Sequence, residues 1–243
     1  MTNHSTSIVF ASKQVGYSCL KYLSAINEKI VQVFIGADDE DIRSLCEENG
    51  YDWATCSRDN IANYLASAAP AGWLLNFWSS LILDENTLAC ADRRLNIHPG
   101  LVPHCRGNDS AAWCIRQDIP AGVSLIEMEA VLDAGAIYSQ MQVEVKSTDT
   151  GKKLHHRQID ACIELFIRDW LKIRAGEIVP HPQPEGGSYF KRKDTNQDRV
   201  RKLDDLPTGK ALARWIRAHD FSPATCAEIV LPDGNIFEIR EKT

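Results

Sequence analysis

In "LNIHPGLVPHCRGNDSAAW", residues 95–113, an apolar lead-in ends in Asn96, His98, His104, Arg106, Asn108 and Asp109. Asn96 and His98 lie two positions apart in a run that reads as a strand, so both side chains leave the same face. An amide placed there can hold a carbonyl or an oxyanion, and an imidazole can move protons near neutral pH. Asp133, in "AVLDAGA", supplies a carboxylate that orients the imidazole or holds a water if its turn lies beside the strand. Such a set suits attack of an amine on an activated acyl carbon. Cys105 is a candidate covalent nucleophile, but nothing in the sequence pairs it with a base. Taken singly, Asn96 and His98 read as a polar strand end and Asp133 as a turn residue. The combination is what argues for chemistry.

The elements that must position these groups alternate. "SIVFAS", "IVQVFIG", "YDWATC", "GWLLNFW" and "RLNIHPG" are short β-branched or aromatic runs. "VGYSCLKYLSAI", "DEDIRSLCEENG", "NIANYLASAA" (with Asn60 as its cap) and "DENTLACA" separate them with helical spacing and cap residues. Then come a helix at "AAWCIRQD", strands at "AGVSLIEME" and "AIYSQMQVEV", and the longest helical pattern, "KKLHHRQIDACIELFIRDWLKIRAGE". This order predicts an α/β, Rossmann-like fold: a mostly parallel twisted sheet with helices on both faces. Ligands in such sheets sit beyond the carboxyl ends of the strands, where the polar cluster falls. "VPHPQPEGGS" reads as a linker or rigid loop, so residues 1–180 form the expected catalytic domain. Residues 181–243 form a small C-terminal appendage with one helix, "GKALARWIRAHD", and a hairpin around Asp233 and Gly234.

Composition narrows the classes. The net charge is −6 and the longest basic cluster is "YFKRKD", so nucleic acid is not the expected partner, whereas a small phosphate pocket is allowed. The eight cysteines show no C-x-x-C pair, and His155 and His156 are adjacent and do not share a helix face, so no metal site is expected. "MTNHSTSIVFASKQ" lacks the features of an export signal and no apolar run has membrane-span length. A cytoplasmic protein with reduced, inert thiols and no membrane contact is the expectation.

"LNIHPGLVPHCRG" followed by "GVSLIEMEAVLDAGAIYSQ" resembles the N10-formyltetrahydrofolate-dependent formyltransferase family. The resemblance covers Ile8 to Val145 and rests on Asn-x-His-Pro, Leu-x-Pro, Arg-Gly, a Gly-Val strand, and Leu-Asp-x-Gly with a downstream Gln. It implies that Asn96, His98 and Asp133 are the active site: His98 as base, Asn96 steadying the oxyanion, Asp133 orienting. Two positions depart: Gly100 stands where the family often has Ser, and Ala134 where Thr is common. The resemblance further implies N10-formyltetrahydrofolate as co-substrate, held by Trp78, Leu81, Met128 and Asp133.

Among branches, the amino-sugar N-formyltransferases fit best. The glycinamide ribonucleotide branch has a Gly-rich phosphate loop where this chain reads "ASKQVGYSCL", and the methionyl-tRNA branch carries a larger, basic C-terminal barrel. The implied acceptor is a UDP- or dTDP-linked 4-amino sugar; "CRGNDSAAW" suggests the pseudaminic-acid type. Arg106, Asn108 and Asp109 would lie near the sugar or nucleotide, with Tyr189 or Phe190 stacking on the base and Lys191, Arg192 or Lys193 meeting the pyrophosphate. For these residues the plainer roles are loop structuring, helix capping by Asn108 or Asp109, and a solvated face. An apolar face on the tail hairpin or on "ARWI" would support a homodimer. The alternatives are transfer to methionyl-tRNA or a ribonucleotide, hydrolysis of the formyl donor, and a catalytically silent ligand-binding protein.

Overall fold

The computed structural model describes residues 3–79 and 81–241. From the start, β1 (Asn3–Ala11), α1 (Lys13–Ala25), β2 (Lys29–Ile35), α2 (Glu40–Asn49), β3 (Trp53–Thr55), α3 (Arg58–Leu65), β4 (Ala71–Phe77), α4 (Glu85–Leu88) and β5 (Ala91–His98) alternate. They are followed by β6 (Arg106–Gly107), α5 (Ser110–Gln117), β7 (Ala121–Ile126), β8 (Ile137–Val143) and α6 (Gly151–Ala175). The remaining elements are β9 (Tyr189–Phe190), α7 (Arg192–Arg199), β10 (Val200–Lys202), α8 (Gly209–His219), β11 (Ala227–Val230) and β12 (Ile236–Ile239). The main sheet has the order β3-β2-β1-β4-β5-β7-β8. Pairing is parallel from β3 to β5 and antiparallel between β5 and β7, as a mostly parallel sheet requires. Among the described residues no helix is long and apolar enough to cross a membrane.

The chain divides into two compact units. The first comprises residues up to 98, with 124–139 and 162–182. Alternation along β4 explains its two-sided burial. Trp73 and Phe77 leave one face and meet Trp170 and Phe166 of α6, with ring centroids 5.1 and 4.7 Å apart. Leu74 leaves the other and packs with Ile8, Phe10, Phe34 and Ile61 of α3. The start of α3 corrects one expectation. Its cap is Ser57, whose hydroxyl accepts from the Asn60 backbone N–H, because Asn60 already lies in the first turn and sends its own amide to the Thr55 carbonyl. At α2 the sequence signal holds: Gly50 closes the helix with φ 67°, a left-handed conformation that costs glycine little.

The second unit holds 99–123, 140–161 and 183 onward. Trp215 of α8 is fully buried against Ala227 and Ile229 of β11, which pairs with β12 in the expected hairpin. "KRKD", expected as a basic surface cluster, opens helix α7, an element that no apolar periodicity marks in the sequence. The adjacent His155 and His156 differ in setting: His155 is half-buried with its ring 6.1 Å from that of Phe221, and His156 is exposed.

Asp198 of α7 is the electrostatic hub of this unit. It accepts from Arg116 Nε (2.8 Å) and lies 2.9 Å from His219 Nε2, with Arg201 on its other oxygen. Burial alone would raise its carboxyl; the bonds from His219 and Arg116 outweigh that and hold it well below the usual carboxylate range. A depressed folded-state value means stabilisation that is present at neutral pH and lost as pH falls below the unfolded value of about 3.9. Asp198→Asn is therefore expected to lower stability by about 3 kcal/mol at pH 7 and to flatten the acid limb of the stability profile, as read by urea titration at several pH values.

Candidate active site

The site of the first unit begins with strand register. Asn76 of β4 is paired directly with Asn96 of β5. Both follow the face of Leu74 by alternation, and His98 lies two residues on, at the end of β5. The side chains meet across the strands: Asn76 Nδ2 donates to Asn96 Oδ1 at 3.1 Å. Asn96 Nδ2 donates in turn to Asp133 Oδ1 at 3.2 Å. The second oxygen, Asp133 Oδ2, lies 3.4 Å from His98 Nδ1, and these two side chains are 5% and 4% exposed. The amide, imidazole and carboxylate picked out by residue type thus converge.

Asp133 reaches this position from a loop in the left-handed conformation, φ 54°. The loop is closed by the Glu127 N–H bonding to the Ala136 carbonyl at 2.8 Å, and Tyr138 donates to the Glu127 carboxylate at 3.2 Å. Gly135 lies so close to Glu127 that a Cβ there would collide with the Glu127 carbonyl oxygen. Burial, reinforced by the neighbouring Glu127 carboxylate, pushes the Tyr138 hydroxyl up, which keeps it a donor.

Of the residues expected to hold a folate, Leu81 and Met128 are half-buried and pack with Leu83 on the Ile8, Phe10 and Leu74 cluster. They offer an apolar wall of the kind a flat heterocycle needs. Trp78 follows β4 in the left-handed region, φ 67°, and its indole is a polar neighbour of the buried thiol of Cys162 on α6. The buried thiols of Cys19 and Cys162 are both pushed up by desolvation, which leaves them unreactive. No group of His, Cys, Asp or Glu that could hold a metal occurs among the described residues.

The expected acceptor-side residues lie in the second unit. β6 pairs in parallel with β9, so Arg106 and Gly107 run beside Tyr189 and Phe190. Gly107 has φ 86° and approaches the Phe190 carbonyl too closely for any Cβ, which explains an Arg-Gly pair here. The Arg106 guanidinium is spent on the carbonyls of Gly186 (2.7 Å) and Pro103 (3.3 Å). Asn108 donates its backbone N–H to the Phe190 carbonyl. Asp109, at the start of α5, makes no side-chain cap and pairs instead with Arg192. Phe190 stacks face to face on Trp113, centroids 4.2 Å apart, and the Trp113 indole donates to Thr195 at 3.0 Å. Tyr189 is 46% exposed and Lys193 is exposed.

Sequence reasoning missed Asn76, Trp113, Thr195 and the Glu127–Tyr138 bond. Asn76 left one signal, a lone amide in the apolar run "GWLLNFW". The others depend on contacts between distant segments and left none.

A family model described as formyl transferase matches residues 27–169. The methionyl-tRNA formyltransferase of Paraburkholderia phymatum is 30% identical over 162 residues, which are 65% of this chain and 48% of that protein. The chain spans about half the length of the curated relatives it matches. Among solved structures, a 4-N formyltransferase from Francisella tularensis has a TM-score of 0.80 at 19% identity, covering 99% of this chain and 100% of that one. The N-formyltransferase from Helicobacter canadensis in complex with folinic acid and dTDP-3-aminofucose has a TM-score of 0.72 at 17% identity, covering 90% and 80%. At these identities the likeness shows a shared fold.

The close approach at Gly135 gives a direct test of the loop. Gly135→Ala is expected to lower the thermal midpoint, at a cost of about 2 kcal/mol from backbone displacement, with an unchanged far-ultraviolet spectrum.

Proposed function

Because the chain belongs to the formyl transferase family, we propose that it moves the formyl group of N10-formyltetrahydrofolate to the 4-amine of a UDP- or dTDP-linked deoxy-amino sugar. The observation that carries this reading is the buried convergence of Asn96, His98 and Asp133. Asp133 faces Nδ1 of His98, so it holds the proton on that nitrogen and leaves Nε2 to take one from the attacking amine. The amine nitrogen forms its bond to the formyl carbon. Asn96 donates its remaining N–H to the formyl oxygen as that oxygen gains charge. The bond from carbon to the donor's N10 then breaks, and His98 returns the proton to the departing nitrogen, so the products are a formamide and tetrahydrofolate. Leu81 and Met128 supply an apolar surface for the pterin ring.

One observation favours a sugar acceptor over a ribonucleotide. The N-terminus of α1, where the ribonucleotide branch holds phosphate, is already occupied by Asp39. Its carboxylate accepts from the Lys13 N–H (2.9 Å) and the Ser12 hydroxyl (2.6 Å), and Gly36 leaves room for it. In the second unit Tyr189, Lys191 and Lys193 are exposed groups proposed for the nucleotide, and Arg192 is exposed but paired with Asp109. Phe190 and Arg192 act mainly by shaping their surroundings.

A panel of UDP- and dTDP-linked 4-amino and 3-amino sugars with the formyl donor tests the acceptor. Transfer to a 4-amino sugar is expected; transfer only to methionyl-tRNA or a ribonucleotide overturns the assignment. His98→Ala is expected to lower turnover about 10³-fold while leaving nucleotide binding by calorimetry within about twofold. Unchanged turnover would remove His98 from the mechanism.

A further inference from the structure

We propose that Asn76 is a positioning residue that fixes which end of the Asn96 amide faces Asp133 and the reacting oxygen. The inference rests on the formyl-transfer reading and concerns a residue that acts through Asn96. An asparagine amide has an acceptor end and a donor end of nearly equal size, and only its partners decide which points where. Here the order is forced from both sides. At one end the Ser79 backbone N–H donates to Asn76 Oδ1 at 3.2 Å, and a backbone N–H can only donate. Asn76 must then present its NH2 group to the neighbouring strand, where it meets Asn96 Oδ1 at 3.1 Å. Asn96 must present its own NH2 to Asp133 Oδ1 at 3.2 Å, and a carboxylate can only accept.

The chain Ser79 N–H to Asn76 to Asn96 to Asp133 therefore has a single direction. Reversing any amide would put oxygen against oxygen at one contact and leave a donor facing a donor at the next. One hydrogen of Asn96 Nδ2 is spent on Asp133. The other is aimed by the same rotamer, and it is the one the mechanism needs for the formyl oxygen. Direct pairing of residues 76 and 96 in the parallel ladder makes the contact a property of the sheet rather than of a loop.

Asn76→Asp keeps shape and volume but turns the donor end into an acceptor. The introduced carboxylate takes the Ser79 N–H and draws the Asn96 NH2 toward itself, leaving the Asn96 oxygen toward Asp133. Turnover is expected to fall about 10²-fold, as for loss of one oxyanion donor, with KM for both substrates within about twofold. In an Asn96→Ala background the same substitution is expected to change kcat by less than about twofold, since there is no amide left to orient. Equal losses in both backgrounds, or a loss confined to KM, overturn the proposal.

Asn76→Ser supplies a second variant should the aspartate fail to fold. It is too short to bridge the strands, and turnover at the wild-type level would overturn the proposal. A readout free of turnover separates this inference from the reading it rests on: hydrogen exchange of the Asn96 side-chain amide by nitrogen-15 NMR, assigned by its loss in Asn96→Ala. Wild-type protein is expected to show one protected proton on that amide, and Asn76→Asp to lose the protection. Protection unchanged in Asn76→Asp overturns the relay. Wild-type protein that keeps the protection yet formylates no amine overturns formyl transfer and leaves the bond order standing.

Discussion

The arrangement in the first unit depends on one buried carboxylate. Asp133 is 5% exposed at its side chain, and a carboxylate so placed is costly unless its oxygens are met by donors. Asn96 and His98 meet them. The groups that would do the chemistry are therefore the groups that make the carboxylate's burial tolerable, and the site cannot loosen without a cost in stability. The same requirement explains the loop: the chain must hold Asp133 at φ 54°, and Gly135, Glu127 and Tyr138 close it tightly enough to do so.

Asn96 and His98 were readable because strand geometry is local. Two positions apart on a β run place two side chains on one face whatever the rest of the chain does. The alternation of strands and helices was readable for a related reason, since periodicity and caps are written within a dozen residues. Asn76 was not readable. Its meeting with Asn96 needs β4 and β5 to be neighbours in a particular register, and register is a tertiary outcome. The cap of α3 failed on a smaller scale: Ser57 and Asn60 are both good capping residues, and the competition was settled by the carbonyl of Thr55, which took the Asn60 amide.

The second unit shows the same divide for recognition groups. Arg106, Asp109, Phe190 and Arg192 have the right types to touch a nucleotide, and residue type and family resemblance were the grounds for naming them. The fold commits three of their polar heads to one another or to backbone: Arg106 to two carbonyls, Asp109 to Arg192. Phe190 gives one face to Trp113. The two-residue ladder of β6 and β9, made possible by Gly107, ties a segment near residue 106 to one about eighty residues later. Long-range pairing of this sort is invisible to a local pattern.

Asp39, the residue before α2, lies against the first residue of α1 as a tethered anion. A carboxylate held by the chain beside the Lys13 N–H and the Ser12 hydroxyl competes with any free anion as an internal ligand. Its effective concentration is on the order of millimolar or above. A dissolved phosphate ester would have to displace this carboxylate from both donors, so it is disfavoured there without any steric wall.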